Sequence, residues 1–119
     1  MAKRLMIVED EAIPALELEM RLTRWGYSVI RTEARGAQAI ESARDLAPDL
    51  VIMDVVLADE VSGVEAADRI QAELGIPVVF LTAVEERTLG TDASGSARTV
   101  IPKPYEPGAL REALAALLD

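Results

Sequence analysis

Short apolar runs alternate along the chain with longer stretches in which apolar residues return every three or four positions. "RLMIV" (4–8), "YSVIR" (27–31), "LVIMD" (50–54), "PVVFL" (77–81) and "RTVI" (98–101) predict five strands. The third has no polar alternation, the pattern of a parallel strand covered on both faces. Between strands the period changes to that of a helix. Residues 12–25 place Ile13, Leu16, Met20 and Leu22 near one face, with Pro14 tolerated in the first turn and Gly26 as a stop. Residues 36–46 carry Ala37, Ala39, Ile40, Ala43 and Leu46 and end before Pro48. Ser62 followed by Glu65 is a capping-box pattern, and Val64, Ala67, Ile70 and Leu74 form the stripe behind it. A last helix follows Pro107 with Leu110, Leu114, Leu117 and Leu118. After the fourth strand the pattern weakens: "EERTLG" supports a turn or two before "TDASGS" breaks it.

Five βα units without a linker or repeat predict one α/β domain over residues 1–119, a parallel sheet with helices on both faces. A chain of 119 residues that is 50% hydrophobic can fill one core, and with 3% aromatics it must do so with aliphatic side chains. The net charge of −9 argues against a nucleic-acid surface and an anionic membrane surface. The basic opening resembles a signal peptide, but its apolar run is too short and is followed at once by acids, so a cytoplasmic protein is expected. The chain has no cysteine and no histidine. That excludes disulfides, thiol chemistry and the histidine-based nucleophile pairs. Chemistry must rest on carboxylates, hydroxyls, lysine or a metal.

Ligands of open parallel sheets bind beyond the carboxyl ends of the strands. Those ends carry Glu9, Asp10 and Glu11, then Asp54, Thr82 and Lys103. With strand order 2-1-3-4-5, acids, a hydroxyl and an amine converge on one rim. Clustered carboxylates need a cation, and hard oxygen donors suit Mg²⁺ or Mn²⁺. Such a cation, a lysine and a hydroxyl together stabilise charge on a phosphoryl group moving to or from a carboxylate.

"IVEDE", "VIMD", "FLTA" and "IPKPY", in this order and spacing, resemble the receiver domain of two-component response regulators (CheY-like), over the whole chain. The resemblance implies a flavodoxin-like (βα)5 three-layer sandwich of order 2-1-3-4-5. It implies Asp54 as phosphoacceptor. Glu9, Asp10, Asp54 and the Val56 backbone carbonyl would hold the metal. Thr82, the Ala83 N–H and Lys103 would meet the phosphoryl group, and the Lys103–Pro104 peptide would be cis. It implies a sensor histidine kinase or histidine phosphotransfer protein as donor, and a downstream protein controlled through the face of the fourth helix, fifth strand and last helix. That face also allows a homodimer. Self-phosphorylation and slow autodephosphorylation are its only expected reactions.

Taken singly, these residues have blander readings. Asp54 reads as a turn cap, Glu9 and Asp10 as a solvated pair, Thr82 as a helix cap and Lys103 as a surface lysine. Met6, Met53 and Trp25 read as core or helix-face residues, and Tyr105 as packing on the last helix. Only the combination is specific. The chain departs from the common pattern at Val100, where most receivers carry an aromatic switch residue. The loop "VVLADEVSG" is one residue longer than usual and lacks its proline, and the fourth helix is short or irregular. These features are similar to an atypical alphaproteobacterial branch. Val56 and Val84 flank the expected phosphoryl site, where two apolar side chains are expected to slow attack by water. The loose 88–99 segment is expected to reorder on phosphorylation in place of an aromatic rotamer change.

Rival functions read less well. A haloacid dehalogenase-like phosphatase wants an aspartate where Val56 stands. A flavodoxin or Rossmann nucleotide site wants a Gly-rich loop where "EDEAIPA" stands. A pseudo-receiver binding partners without phosphorylation is the alternative, against which the complete set of site residues argues.

Overall fold

The structure, a computed structural model, describes residues 1–92 and 94–118. Its elements run β1 (Arg4–Val8), α1 (Ala12–Arg24), β2 (Ser28–Glu33), α2 (Gly36–Leu46), β3 (Leu50–Met53), α3 (Gly63–Leu74), β4 (Val78–Thr82), β5 (Thr99–Pro102) and α4 (Pro107–Leu118). The five strands form one parallel sheet in the order β2-β1-β3-β4-β5, the flavodoxin-like order that was expected. Among the described residues no helix is long and apolar enough to cross a membrane.

Side chains of successive strand residues point to opposite faces, so each central strand feeds two cores. Met6, Val8, Val51, Met53 and Phe80 face α2 and α3, meeting Ala39, Ile40, Ala43, Ala67 and Ile70. Leu5, Ile7, Leu50, Ile52, Val79 and Leu81 face α1 and α4, meeting Leu18, Leu22, Leu110 and Leu114. Small alanines on α2 and α3 let those helices approach closely. Met6 and Met53 are fully buried, as expected of core residues. Trp25 lies half-buried against the second core, its ring under the Arg111 guanidinium at 5.5 Å.

The buried face of α1 differs from the expected one. Ala15, Leu18 and Leu22 point inward, whereas Ile13, Leu16 and Met20 are 72%, 56% and 57% exposed. At 3.6 residues per turn, Leu22 lies about 180° around the helix from Ile13. The sequence therefore carries two apolar stripes, and the sheet takes only the one containing Leu22. In α2, Ala37 is exposed while Ser42 is buried, its hydroxyl donating to Glu33. In α3, Ser62 caps as expected, its Oγ accepting from the Glu65 N–H at 3.1 Å, and Leu74 ends the stripe at the surface.

Between β4 and β5 the expected irregular fourth helix is a single 3-10 turn, Glu86–Thr88, with no α-helix among the described residues. The segment after it is tied rather than loose, which corrects the reading of 88–99 as barely specified. Thr91 pairs antiparallel with Ala97, and the Asp92 N–H donates to the Ser96 carbonyl at 2.9 Å. Asp92 Oδ1 accepts from the N–H groups of Ser94 and Ser96, both at 2.9 Å. Gly95 takes the φ of 86° that the turn requires and that a β-carbon would oppose. Ala93, in the middle of "TDASGS", and Asp119, the last residue of the expected domain, lie outside the described residues.

Candidate metal and phosphoryl site

Parallel register brings the strand ends to one level. Val8 pairs with Met53, Met53 with Phe80, and Thr82 with Pro102. The next residue of each strand continues the ladder: the Asp54 N–H donates to the Val8 carbonyl at 3.0 Å and the Lys103 N–H to the Thr82 carbonyl at 2.9 Å. Glu9 joins the rim through its N–H on the Glu33 carbonyl. Three elements thus deliver two acids and an amine from positions far apart in sequence.

There they meet. Lys103 Nζ lies 2.5 Å from Glu9 Oε1 and 3.2 Å from Asp54 Oδ2. Asp54 Oδ1 accepts from the Val55 N–H at 2.7 Å and the Val56 N–H at 3.4 Å. The carboxylates of Glu9, Asp10 and Asp54 offer oxygens within 4.8 Å of one another. Glu9 is buried, Asp54 half-buried and Asp10 exposed. Burial pushes the Glu9 carboxyl up from its ordinary range, although Lys103 and the Glu11 N–H pull the other way. Burial also disfavours the Lys103 ammonium, but its bond to Glu9 and the charge of Asp54 outweigh this and hold it up. Three carboxylates against one ammonium leave two unbalanced negative charges on the rim. That deficit, with all-oxygen donors, fits a hard divalent cation. The Lys103–Pro104 peptide is cis, as expected.

Thr82 is almost fully buried, and its Oγ1 accepts from the Val84 N–H at 3.2 Å. It is therefore turned toward the chain that follows it and not toward Lys103. Asp54, Val56, Thr82, Ala83, Val84 and Lys103 line one cleft of about 520 Å³, with Glu11, Pro14 and Glu17 of the α1 side across from them. All the residues expected at the site gather there or at its acidic edge. Val56 is 63% exposed, and Val84 packs inward against the α2–α3 core.

Four supporting residues escaped the sequence reading. A β-carbon on Gly63 would fall 1.8 Å from the Asp54 carbonyl oxygen, so only glycine lets α3 start against the loop that follows Asp54. The Gly63 N–H donates to the Val55 carbonyl at 2.8 Å, and this pins the residue next to Asp54. Asp59, in the long loop, accepts from the first N–H groups of α2, Gly36 at 2.8 Å and Ala37 at 3.1 Å. Arg21 donates to the Tyr105 hydroxyl at 2.6 Å and covers its ring at 5.4 Å, clamping the turn after Lys103 to α1. Tyr105 packs on the core that contains Leu110 and Leu114, as expected. The Arg98 side chain is covered where it meets Asp68 of α3. Only the glycine left a local signal, its place just inside the capping serine. The others depend on partners 22 to 84 positions away.

Comparison with known proteins agrees with this geometry. The family model for the response regulator receiver domain matches residues 5–115. The phyllosphere-induced regulator PhyR of Methylorubrum extorquens is 33% identical over 108 residues, covering 90% of this chain but 40% of that protein. The chain therefore spans less than half of that relative. The chemotaxis protein CheY of Thermotoga maritima is 30% identical over 116 residues, 96% of each chain. The response regulator receiver domain of PhyR from Erythrobacter litoralis superposes with a TM-score of 0.86 at 31% identity, over 98% of this chain and 90% of that one. The chain belongs to the response regulator receiver domain family of two-component systems.

Proposed function

We propose that residues 1–119 form one receiver domain that takes a phosphoryl group onto Asp54 from a phosphohistidine on a sensor kinase or phosphotransfer partner. The observation that carries this is Lys103, placed 3.2 Å from Asp54 Oδ2 by a strand end 49 residues away. Asp54 Oδ1 is tied down by backbone N–H groups, so Oδ2 is the nucleophile. It forms the new O–P bond as the donor's P–N bond breaks, and the imidazole nitrogen leaves with the electron pair. Lys103 then exchanges Asp54 for a phosphoryl oxygen while keeping Glu9, and the Thr82 hydroxyl and Ala83 N–H lie on the same cleft wall to meet the other oxygens. Mg²⁺ or Mn²⁺, held by Glu9, Asp10, Asp54 and the Val56 carbonyl, would supply the positive charge that offsets the acids and the phosphoryl oxygens.

The donor's docking surface follows from α1. Ile13, Leu16 and Met20 of this helix are exposed, and Leu16 shares a groove with Glu9 and Asp10. A histidine-bearing partner that covers this stripe delivers its phosphoryl group over the acids. Leu16→Ser with Met20→Ser should slow transfer from such a donor and leave labelling by a small phosphodonor unchanged.

Incubation with acetyl phosphate and Mg²⁺, read by intact mass, tests the proposal. One phosphoryl adduct is expected, lost in Asp54→Asn and lost on chelation of the metal. An unmodified protein would instead favour the pseudo-receiver, a module that binds partners without phosphorylation.

A further inference from the structure

Outside the site, the Arg98 side chain is 5% exposed and makes four hydrogen bonds. Its guanidinium grips Asp68 of α3 with two bonds, 2.8 Å to Oδ1 and 3.3 Å to Oδ2. It also donates to the carbonyls of Leu89 at 3.0 Å and Thr91 at 2.9 Å, and lies 5.7 Å from the centre of the Phe80 ring. Arginine suits this place because a planar fork serves several acceptors at once. Among the described residues, these two bonds to Asp68 are the only side-chain hydrogen bonds between the 89–98 segment and α3. Within the segment Thr91 pairs with Ala97, and the Asp92 side chain accepts from the Ser94 and Ser96 N–H groups. It sits on the body of the protein through Arg98 and through the buried side chain of Leu89.

A contiguous path joins this grip to the phosphoryl site. Thr82 Oγ1 holds the Val84 N–H. Val84, Leu89 and Val100 pack into one cluster with Phe80. The Leu89 carbonyl is one of Arg98's acceptors. Turning the Thr82 hydroxyl toward a phosphoryl group takes the partner from the Val84 N–H. A shift of residues 84–89 then draws the Leu89 carbonyl from Arg98. Arg98 is then left with the Thr91 carbonyl of its own segment and with Asp68, whose side chain, 33% exposed, also meets water, so the tie to α3 weakens.

We propose that Arg98 is a latch that holds the 89–98 segment against α3 while Asp54 is unmodified and releases it when Asp54 carries a phosphoryl group. The latch rests on the phosphoacceptor reading and gives it an output that needs no aromatic side chain at Val100. Amide exchange at Leu89, Asp92 and Ser96 tests it, with and without acetyl phosphate and Mg²⁺, intact mass being read on the same samples. In the native chain these amides should exchange slowly, then about 10-fold faster or more once the adduct forms. In Arg98→Ala they should exchange fast in both states. Asp68→Asn, which keeps Arg98 on the Leu89 and Thr91 carbonyls, should lie between. An adduct with unchanged protection overturns the latch alone, as does an Arg98→Ala or Asp68→Asn protein that responds like the native chain. Absence of any adduct overturns the latch together with the phosphoacceptor reading.

Discussion

Single residues hold this site through contacts that their types make irreplaceable. Gly63 is the sharpest case: the Asp54 carbonyl oxygen lies 1.8 Å from where its β-carbon would be, and the three nearest atoms are all backbone. Gly63→Ala should destabilise the fold by about 3 kcal/mol, since strain of this kind is at the upper end of single substitutions. Denaturant titration reads that loss. Lys103→Ala should slow labelling by acetyl phosphate about 10-fold or more, because it removes the one ammonium facing Asp54 Oδ2. An initial-rate comparison by mass checks it. Asp59 sets an acid dependence. The Ala37 N–H, helped by that of Gly36 and opposed by slight burial, holds its carboxyl below the ordinary 3.8. A carboxyl lowered in the folded state stabilises that state fully above the ordinary value and loses the contribution as pH falls through the lowered one. Melting curves across the acid range should therefore fall less steeply for Asp59→Asn than for the native chain.

At the scale of elements, each helix has one face the sheet claims, and α1 shows how much of that the sequence reveals. Leu18→Ala should cost about 2–5 kcal/mol, and Leu16→Ser less than about 0.5 kcal/mol. Equilibrium unfolding of the two variants separates the buried stripe from the exposed one. The central strands were legible because a both-sides-buried strand must be apolar throughout, whereas the edge strands β2 and β5 are only partly buried. The helices were legible as helices because their period is. Which stripe of α1 faces inward was also written there, in the half-turn between Ile13 and Leu22, but the equally apolar Leu16 and Met20 offered a second face. The capping serine of α3 announced itself within three residues. The tie of Arg98 to Asp68 spans 30 residues and joins two common surface types, so nothing local distinguishes it. That is why a segment read as loose is closed by a turn and anchored. On the side of β5, where a short or irregular fourth helix was expected, the described residues hold a 3-10 turn and the Thr91–Ala97 bridge.

For the whole molecule, the topology does the assembling. Order 2-1-3-4-5 makes β1, β3 and β4 neighbours, with β5 beside them, so Glu9, Asp54, Thr82 and Lys103 reach one rim without any loop having to travel. The site residues were legible as a set because each is the first polar residue after an apolar strand. The bonds among them were not, because their lengths depend on the register and on how the Arg21–Tyr105 clamp seats the turn after Lys103. The result is a rim two charges short of neutrality in a chain of net charge −9, a place that favours a divalent cation over any free anion. The proposed phosphoryl transfer would make an acyl phosphate of Asp54 there. Borohydride reduction after acetyl phosphate and Mg²⁺ treatment converts an aspartyl phosphate to homoserine, and peptide sequencing by mass locates it. Homoserine is expected at position 54 alone; homoserine at another acid, such as Asp10, or at none, would overturn the assignment of Asp54.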